Sequence, residues 1–252
     1  MNHIDLNCDL GELEGPKGEA LDEKMMTYVS SINLACGGHA GDVDRIRKVV
    51  EHALKLNVAV GAHPGYADRE NFGRLVLPMS LAEISALVSQ QIQLVADIAV
   101  DLGGKLHHVK PHGALYNLAA TSPETALAIA TAVYNLDPNC QLVGLAESCL
   151  IDAAKSVGLK PVREIFADRN YLADGTLVPR NQPNAVLHDA AEIAARVVCI
   201  IQTGSVIALD GTKLSLQCDT ICLHSDTPNS VLIAAEIRRV LADCRITIRA
   251  VG

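Results

Sequence analysis

Val58-Ala59-Val60-Gly61-Ala62 is apolar at every position and runs directly into His63-Pro64. A strand with one wet face alternates apolar and polar residues, so a strand apolar throughout is covered on both faces, as in a parallel sheet flanked by helices. Leu142-Val143-Gly144-Leu145, Val206-Ile207-Ala208-Leu209 and Ile221-Cys222-Leu223 read the same way. Just before the first of these runs, Asp42 to Leu56 places Ile46, Val49, Val50, Ala53 and Leu54 on the apolar stripe of a helix that lies against the sheet. After it, Ser80-Leu81-Ala82-Glu83 is a capping box opening a long helix that ends at Gly103-Gly104. Ser122-Pro123 and Thr227-Pro228 each set an N-cap before a proline at the first helical position, and Ile233, Ile237, Val240 and Leu241 supply the buried stripe of the last helix.

Short apolar runs alternating with longer amphipathic ones define the α/β class. Seven or eight such units in 252 residues predict one (β/α) barrel, TIM-like, with seven to eight mostly parallel strands and residues 1–252 in a single domain. Periodicity alone does not separate a closed barrel from an open doubly wound sheet. However, no Gly-x-Gly-x-x-Gly follows the first strand and no Gly-x-x-x-x-Gly-Lys-Ser/Thr is present, which removes the two commonest nucleotide-binding open sheets.

Composition narrows the function. At 49% hydrophobic and 20% charged, the chain can bury roughly three-quarters of its unfolded surface. Lys and Arg number 21 against 29 Asp and Glu, a net charge of −8 with no basic block, which argues against nucleic acid and anionic membranes as partners. Aromatics at 3%, without a single Trp, leave no flat stacking platform, so recognition is polar and small in scale. The eight cysteines are scattered from Cys8 to Cys244 with no Cys-x-x-Cys pair, the pattern of buried thiols in a reducing compartment. The first ten residues carry acids where a signal peptide is apolar, and no run approaches the ~20 apolar residues that span a bilayer. A cytoplasmic protein is expected.

Nearly every chemically capable residue follows directly on a predicted strand, where a barrel builds its active site from separate loops. These are Asn7, Asp9 and Glu12 after the first strand, then His39 and Asp42, His63, Lys110 and His112, Asp168 and Arg169 with Arg180, and finally His224 and Asp226. Singly each has a plain alternative: His63 as a hydrogen-bonded structural histidine, Asp42 as a helix N-cap, Glu12 as a solvated loop charge, Cys8 and Cys36 as small apolar fillers. Jointly they exceed what stability requires, and mutual burial would tune them as acids and bases. Asp9, His63, Lys110 and His112 are the catalytic candidates, and the remaining rim residues are candidates for binding substrate. Asp9 with two of His39, His63 and His112 would make a one-carboxylate, two-imidazole metal site. Lys110 and the backbone N–H groups of Gly37, Gly38 and Gly113 offer oxyanion stabilisation, while the absence of Gly-x-Ser-x-Gly disfavours a serine acyl-enzyme.

Four strings together resemble the LamB/YcsF family: Asp5-Leu6-Asn7-Cys8-Asp9-Leu10-Gly11-Glu12, Asn33-Leu34-Ala35-Cys36-Gly37-Gly38-His39-Ala40-Gly41-Asp42, Gly61-Ala62-His63-Pro64 and the run from His108 to Asn117. Phe166 to Arg169, Asp174 to Arg180 and Cys222 to Asp226 extend the likeness across essentially the whole chain. The resemblance implies a barrel of the glycoside hydrolase and carbohydrate deacetylase type, working as one subunit of an ATP-dependent 5-oxoprolinase that opens 5-oxo-L-proline to L-glutamate. It implies two partner subunits similar to the halves of an allophanate hydrolase, ATP as co-substrate, and room for a divalent metal ion, Mg or Zn. Metal-dependent carbohydrate deacetylation and non-catalytic binding of substrate are the alternatives. The chain departs from the family pattern at Gly38, where Phe is usual, and at Gly65, Ala67, Leu75 and Ser225; the loss of a Phe beside His39 predicts a roomier pocket.

Overall fold

A computed structural model describes residues 3–252. The strands are β1 (His3–Leu10), β2 (Ser31–Ala35), β3 (Ala59–His63), β4 (His108–Val109), β5 (Gln141–Leu145), β6 (Lys160–Phe166), β7 (Ser205–Ile207), β8 (Lys213–Ser215), β9 (Thr220–His224) and β10 (Thr247–Ile248). The helices are α1 (Gly15–Met26), α2 (Val43–Lys55), α3 (Leu81–Asp101), α4 (Gly113–Thr121), α5 (Pro123–Leu136), α6 (Cys149–Val157), α7 (Ala190–Thr203) and α8 (Ser230–Asp243). Strands β1 to β6 pair in sequence, all parallel, and β9 pairs with both β6 and β1, which closes a seven-stranded barrel ringed by helices. Short β10 adds to the start of β1. No helix among the described residues is long and apolar enough to cross a membrane.

The local signals explain where the helices begin. Asp42 Oδ1 accepts the Arg45 N–H at 2.8 Å, Ser80 and Glu83 cap each other reciprocally, and the Ser122 hydroxyl accepts the Thr125 N–H in front of α5. Two expectations are corrected. Val206-Ile207-Ala208-Leu209 is not a barrel strand: β7 pairs antiparallel with β8 through an Asp210-Gly211 turn, and Ile207 and Leu209 are exposed. An Asp-Gly turn returns the chain as a hairpin, so the apolar run never reaches the barrel. Thr227 does not cap α8, because its hydroxyl donates to Asp168 Oδ2 at 2.6 Å and the helix starts after Asn229, whose φ is +62°.

The barrel interior is polar. Alternation along β1 puts Asp5, Asn7 and Asp9 on one face and Leu6, Cys8 and Leu10 on the other, all of them buried. The inner groups satisfy one another across the strands. Asn7 Nδ2 donates to Glu164 and Thr220, Asn33 Nδ2 donates to Asn7 and Asp9 at 2.7 Å each, and His108 Nε2 donates to Asn33 Oδ1 at 2.8 Å. Asp5 at the far end accepts from Ser30, Ser31 and Thr220, and burial raises its carboxyl above the ordinary value. A buried polar group costs little only when its partners are present, so this lattice fixes Asp9 from beneath.

Candidate active site

Lys110 comes directly after β4, with its N–H held by Ala62 O at 2.9 Å, and its side chain enters the barrel mouth. The ammonium lies 2.9 Å from Asp9 Oδ1, 2.9 Å from Glu164 Oε1 and 3.1 Å from Cys222 Sγ. Burial alone would strip the proton from Lys110, but the charge of Asp9, joined by Cys222 and Glu164, holds its pKa well above the ordinary lysine value. Burial likewise opposes ionisation of Asp9, and the neighbouring His63 and Lys110 reverse this and keep it a carboxylate. Asp9, Cys222 and His224 are close enough together to share a cation, and the ammonium of Lys110 already supplies one there.

A histidine cluster fills the adjacent corner. His63 Nδ1 lies 2.7 Å from Lys110 O and His112 Nε2 lies 2.9 Å from Phe72 O. A carbonyl only accepts, so those nitrogens carry the ring protons. The other two, His63 Nε2 and His112 Nδ1, face each other at 3.0 Å, and Glu12 Oε1 is 3.3 Å from His112 Nδ1. With both rings in their neutral form these three atoms are all acceptors and fit a shared cation, and backbone carbonyls orienting the far nitrogens are the usual supports of imidazole ligands. Glu12, His63 and His112 group as such a donor set, so the structure draws Glu12 into the position first expected of Asp9, whose Oδ2 lies 3.4 Å from His63 Nε2.

Glycines bring these groups together. Gly11 turns at φ +76° with its Cα packed against Leu34, which swings Glu12 into the mouth, and Gly73, at φ +61°, lies against both His39 and His112, where a Cβ would meet the His39 Cβ at 2.9 Å. His39 stacks on His112 with ring centroids 3.6 Å apart and donates Nε2 to Glu12, while burial pushes its pKa down to about 4. The room expected from Gly38 is not there, because a Cβ on Gly38 would lie 2.8 Å from the Gln91 amide, which fills that space and bonds Gly65 on both its N–H and its carbonyl.

On the opposite side, His224 Nδ1 lies 3.0 Å from Asp168, which also accepts from Thr227, leaving His224 Nε2 4.0 Å from Asp9 Oδ2. Burial would neutralise Asp168, yet His224 and Thr227 hold its carboxyl down at about 2. A cavity of about 570 Å³ opens over these groups, its walls formed by Leu145, Phe166, Leu177, Val178 and Pro179 and its mouth by Arg74, Arg180 and Asp226.

The cavity brings together Asp9, Glu12, His63, Lys110, His112, Arg169, Arg180, His224 and Asp226. Asn7, His39 and Asp168 lie behind that wall as buried supports, bonded to Glu164, Glu12 and His224 respectively. Asp42 stands apart as the N-cap of α2. The Gly37 N–H is spent on Ala40 O. Sequence reasoning missed Glu164, fully buried beneath Lys110, with Tyr116 donating to its second oxygen at 2.7 Å. The available signal was a carboxylate inside the strand Val162-Arg163-Glu164-Ile165-Phe166. Arg74 at the mouth was also missed.

The LamB/YcsF family model matches residues 4–252. A 5-oxoprolinase subunit of Shouchella clausii is 48% identical over 250 residues, covering 99% of each chain, and its counterpart from Chloroflexus aggregans is 50% identical over 249 residues, again covering 99% of each. The crystal structure of a lactam utilization protein from Thermus thermophilus superposes with a TM-score of 0.92 at 40% identity, covering 99% of this chain and 100% of that one. A barrel matched to the family over nearly its whole length, with identity near one half to such relatives, leaves one assignment: the chain belongs to the LamB/YcsF family.

Proposed function

We propose that this chain is the barrel subunit of an ATP-dependent 5-oxoprolinase, hydrolysing the lactam of 5-oxo-L-proline to L-glutamate together with two partner subunits resembling allophanate hydrolase halves. One observation carries the reading: a protonated Lys110, clamped between Asp9 and Glu164, faces a cavity that also presents His63, His112 and His224. Those are the groups amide hydrolysis needs, a fixed positive charge for the developing oxyanion and imidazoles to move protons. Relatives named as 5-oxoprolinase subunits support the choice of amide.

In this reading Lys110 Nζ offsets charge on the lactam oxygen as water adds to the carbonyl carbon. Asp9 orients that water, and His63 and His112 border it. His224, its tautomer set by Asp168, presents the Nε2 lone pair to the cavity, takes the proton that the water sheds as it adds, and hands it to the ring nitrogen as the C–N bond breaks, giving the amine of glutamate. ATP acts as a substrate of the assembly: transfer of its terminal phosphoryl group to the lactam oxygen, with ADP leaving, makes a stable amide carbon electrophilic, and the group departs as inorganic phosphate once water has opened the ring. Glu12, His63 and His112 would hold a divalent cation, Mg or Zn, which polarises a carbonyl or acidifies bound water when present. Residues 1–252 act as one domain, and eight free thiols suit a cytoplasmic location.

Glutamate formation from 5-oxoproline and ATP, compared between this chain alone and this chain with its partner subunits, tests the reading; absence from both overturns it. The cation-fitting cluster favours one second reading, metal-dependent deacetylation of an N-acetylated sugar. Chelator-sensitive acetate release by the isolated chain would replace the first reading with that one. Turnover that survives loss of both Lys110 and His112 would reduce the chain to a substrate-binding part.

A further inference from the structure

Charge is unevenly spread within the cavity. Asp9 and Glu12 line it beside Lys110 and the histidines, whereas Arg74, Arg169 and Arg180 line it with Asp226 as their only acidic neighbour among the lining residues. Arg74 and Arg180 both reach the single carboxylate of Asp226, at 2.8 and 3.2 Å. Arg169 is 5% exposed and bonds only backbone, giving Nη2 to Val178 O at 2.6 Å and Nε to Ala185 O at 3.3 Å. Among the described residues it has no ion pair, and nearby Asp168 is committed to His224 and Thr227. Burial, with Arg180 adding repulsion, lowers its pKa to about 10, so its charge is held without a counterion. Three guanidinium groups therefore line the wall of a cavity larger than a five-membered lactam requires, two of them sharing the one carboxylate of Asp226 and the third paired with none.

We propose that Arg74, Arg169 and Arg180 form an anion subsite that takes the carboxylate of the substrate and so presents its ring carbonyl to Lys110. The buried Arg169 supplies an unpaired charge at the back, and Arg180 and Arg74 exchange part of their bonding to Asp226 for the ligand. Planar guanidinium groups suit a carboxylate because two parallel N–H bonds match its two oxygens. The choice of a lactam acid as the ligand rests on the function proposed above, whereas the anion subsite itself does not.

The test is calorimetric titration of the assembled enzyme, without ATP, with 5-oxoproline, with 2-pyrrolidinone (the same ring lacking the carboxylate) and with inorganic phosphate, alongside glutamate formation. Arg169 anchors a loop through two carbonyls, so Arg180→Gln and Arg74→Gln, at partly exposed positions, are the variants to use. Tighter binding of 5-oxoproline than of 2-pyrrolidinone, by about tenfold or more, is expected, with each variant erasing most of that preference and leaving 2-pyrrolidinone unchanged. Equal affinity for the two rings, or a preference that survives both substitutions, overturns the subsite even if glutamate is formed. Phosphate binding that depends on Arg180 with no preference between the rings overturns the carboxylate assignment. Arginine-dependent binding of 5-oxoproline in an assembly that releases no glutamate upholds the subsite and removes the functional reading instead.

Discussion

Glu164 Oε1 lies 2.9 Å from Lys110 Nζ, yet Glu164 is wholly buried and forms no part of the cavity wall. It aims the ammonium from behind, held in turn by Asn7 and Tyr116. Glu164→Gln keeps the shape and removes the charge, leaving Asp9 as the only carboxylate on Lys110. A drop in kcat of roughly tenfold to hundredfold with little change in KM is expected, since a displaced catalytic group costs rate more than binding. Steady-state kinetics of the assembled enzyme check it, and an equal rise in KM would mean that Glu164 shapes the binding site instead.

The convergence of Glu12 Oε1, His63 Nε2 and His112 Nδ1 makes a statement about ligands. Titration of the chain with Co²⁺, followed by its visible absorption, should give a site weakened about tenfold or more by Glu12→Gln or His112→Asn, and less by Asp9→Asn. Identical affinities in all three variants would locate any cation elsewhere.

Acid should loosen the fold through its buried imidazoles. Burial lowers the pKa of His39 from 6.5 to about 4, and burial also lowers those of His108 and His112. The unfolded chain takes up a proton near pH 6.5 that folded His39 refuses until about pH 4. The stability from neutral His39 is therefore complete above pH 6.5 and falls as pH drops towards 4, by up to about 1.4 kcal/mol per pH unit. Urea midpoints between pH 4 and 7, measured in a chelator, should fall less steeply for His39→Gln than for the wild type.

Gly61 has no room for a side chain. A Cβ there would lie 2.2 Å from His108 Nε2, the atom that donates to Asn33 and through it steadies Asp9. Gly61→Ala should cost about 1–3 kcal/mol in urea unfolding and lower activity as well, because the ring must leave its partner. A fully stable and fully active variant would show that the interior lattice has no influence on Asp9.

Much of this architecture was legible in the chain, and the exceptions have physical causes. Strands covered on both faces and helices with capping signals are local patterns, so the runs ending at His63 and His224 and the starts at Asp42, Ser80 and Ser122 could be read directly. Closure depends on β9 meeting β1, a contact between residues more than 200 positions apart that no periodicity encodes. Val206 to Leu209 has the composition of a core strand, and only the Asp-Gly turn after it marks a hairpin. Thr227 resembles a cap but is drawn off by Asp168. Glu164 escaped notice because it lies within a strand rather than after one, and the space opened at Gly38 was judged without Gln91, more than 50 positions along the chain.

The central claim is that Lys110, gripped by Asp9 and Glu164, sits where a lactam carbonyl becomes an oxyanion. The direct measurement is ATP-dependent glutamate release from 5-oxoproline by the assembled enzyme carrying Lys110→Met. A fall of about 1,000-fold is predicted, in line with loss of a principal oxyanion-stabilising group; a rate within a few-fold of wild type, from a folded and fully assembled variant, would contradict the account.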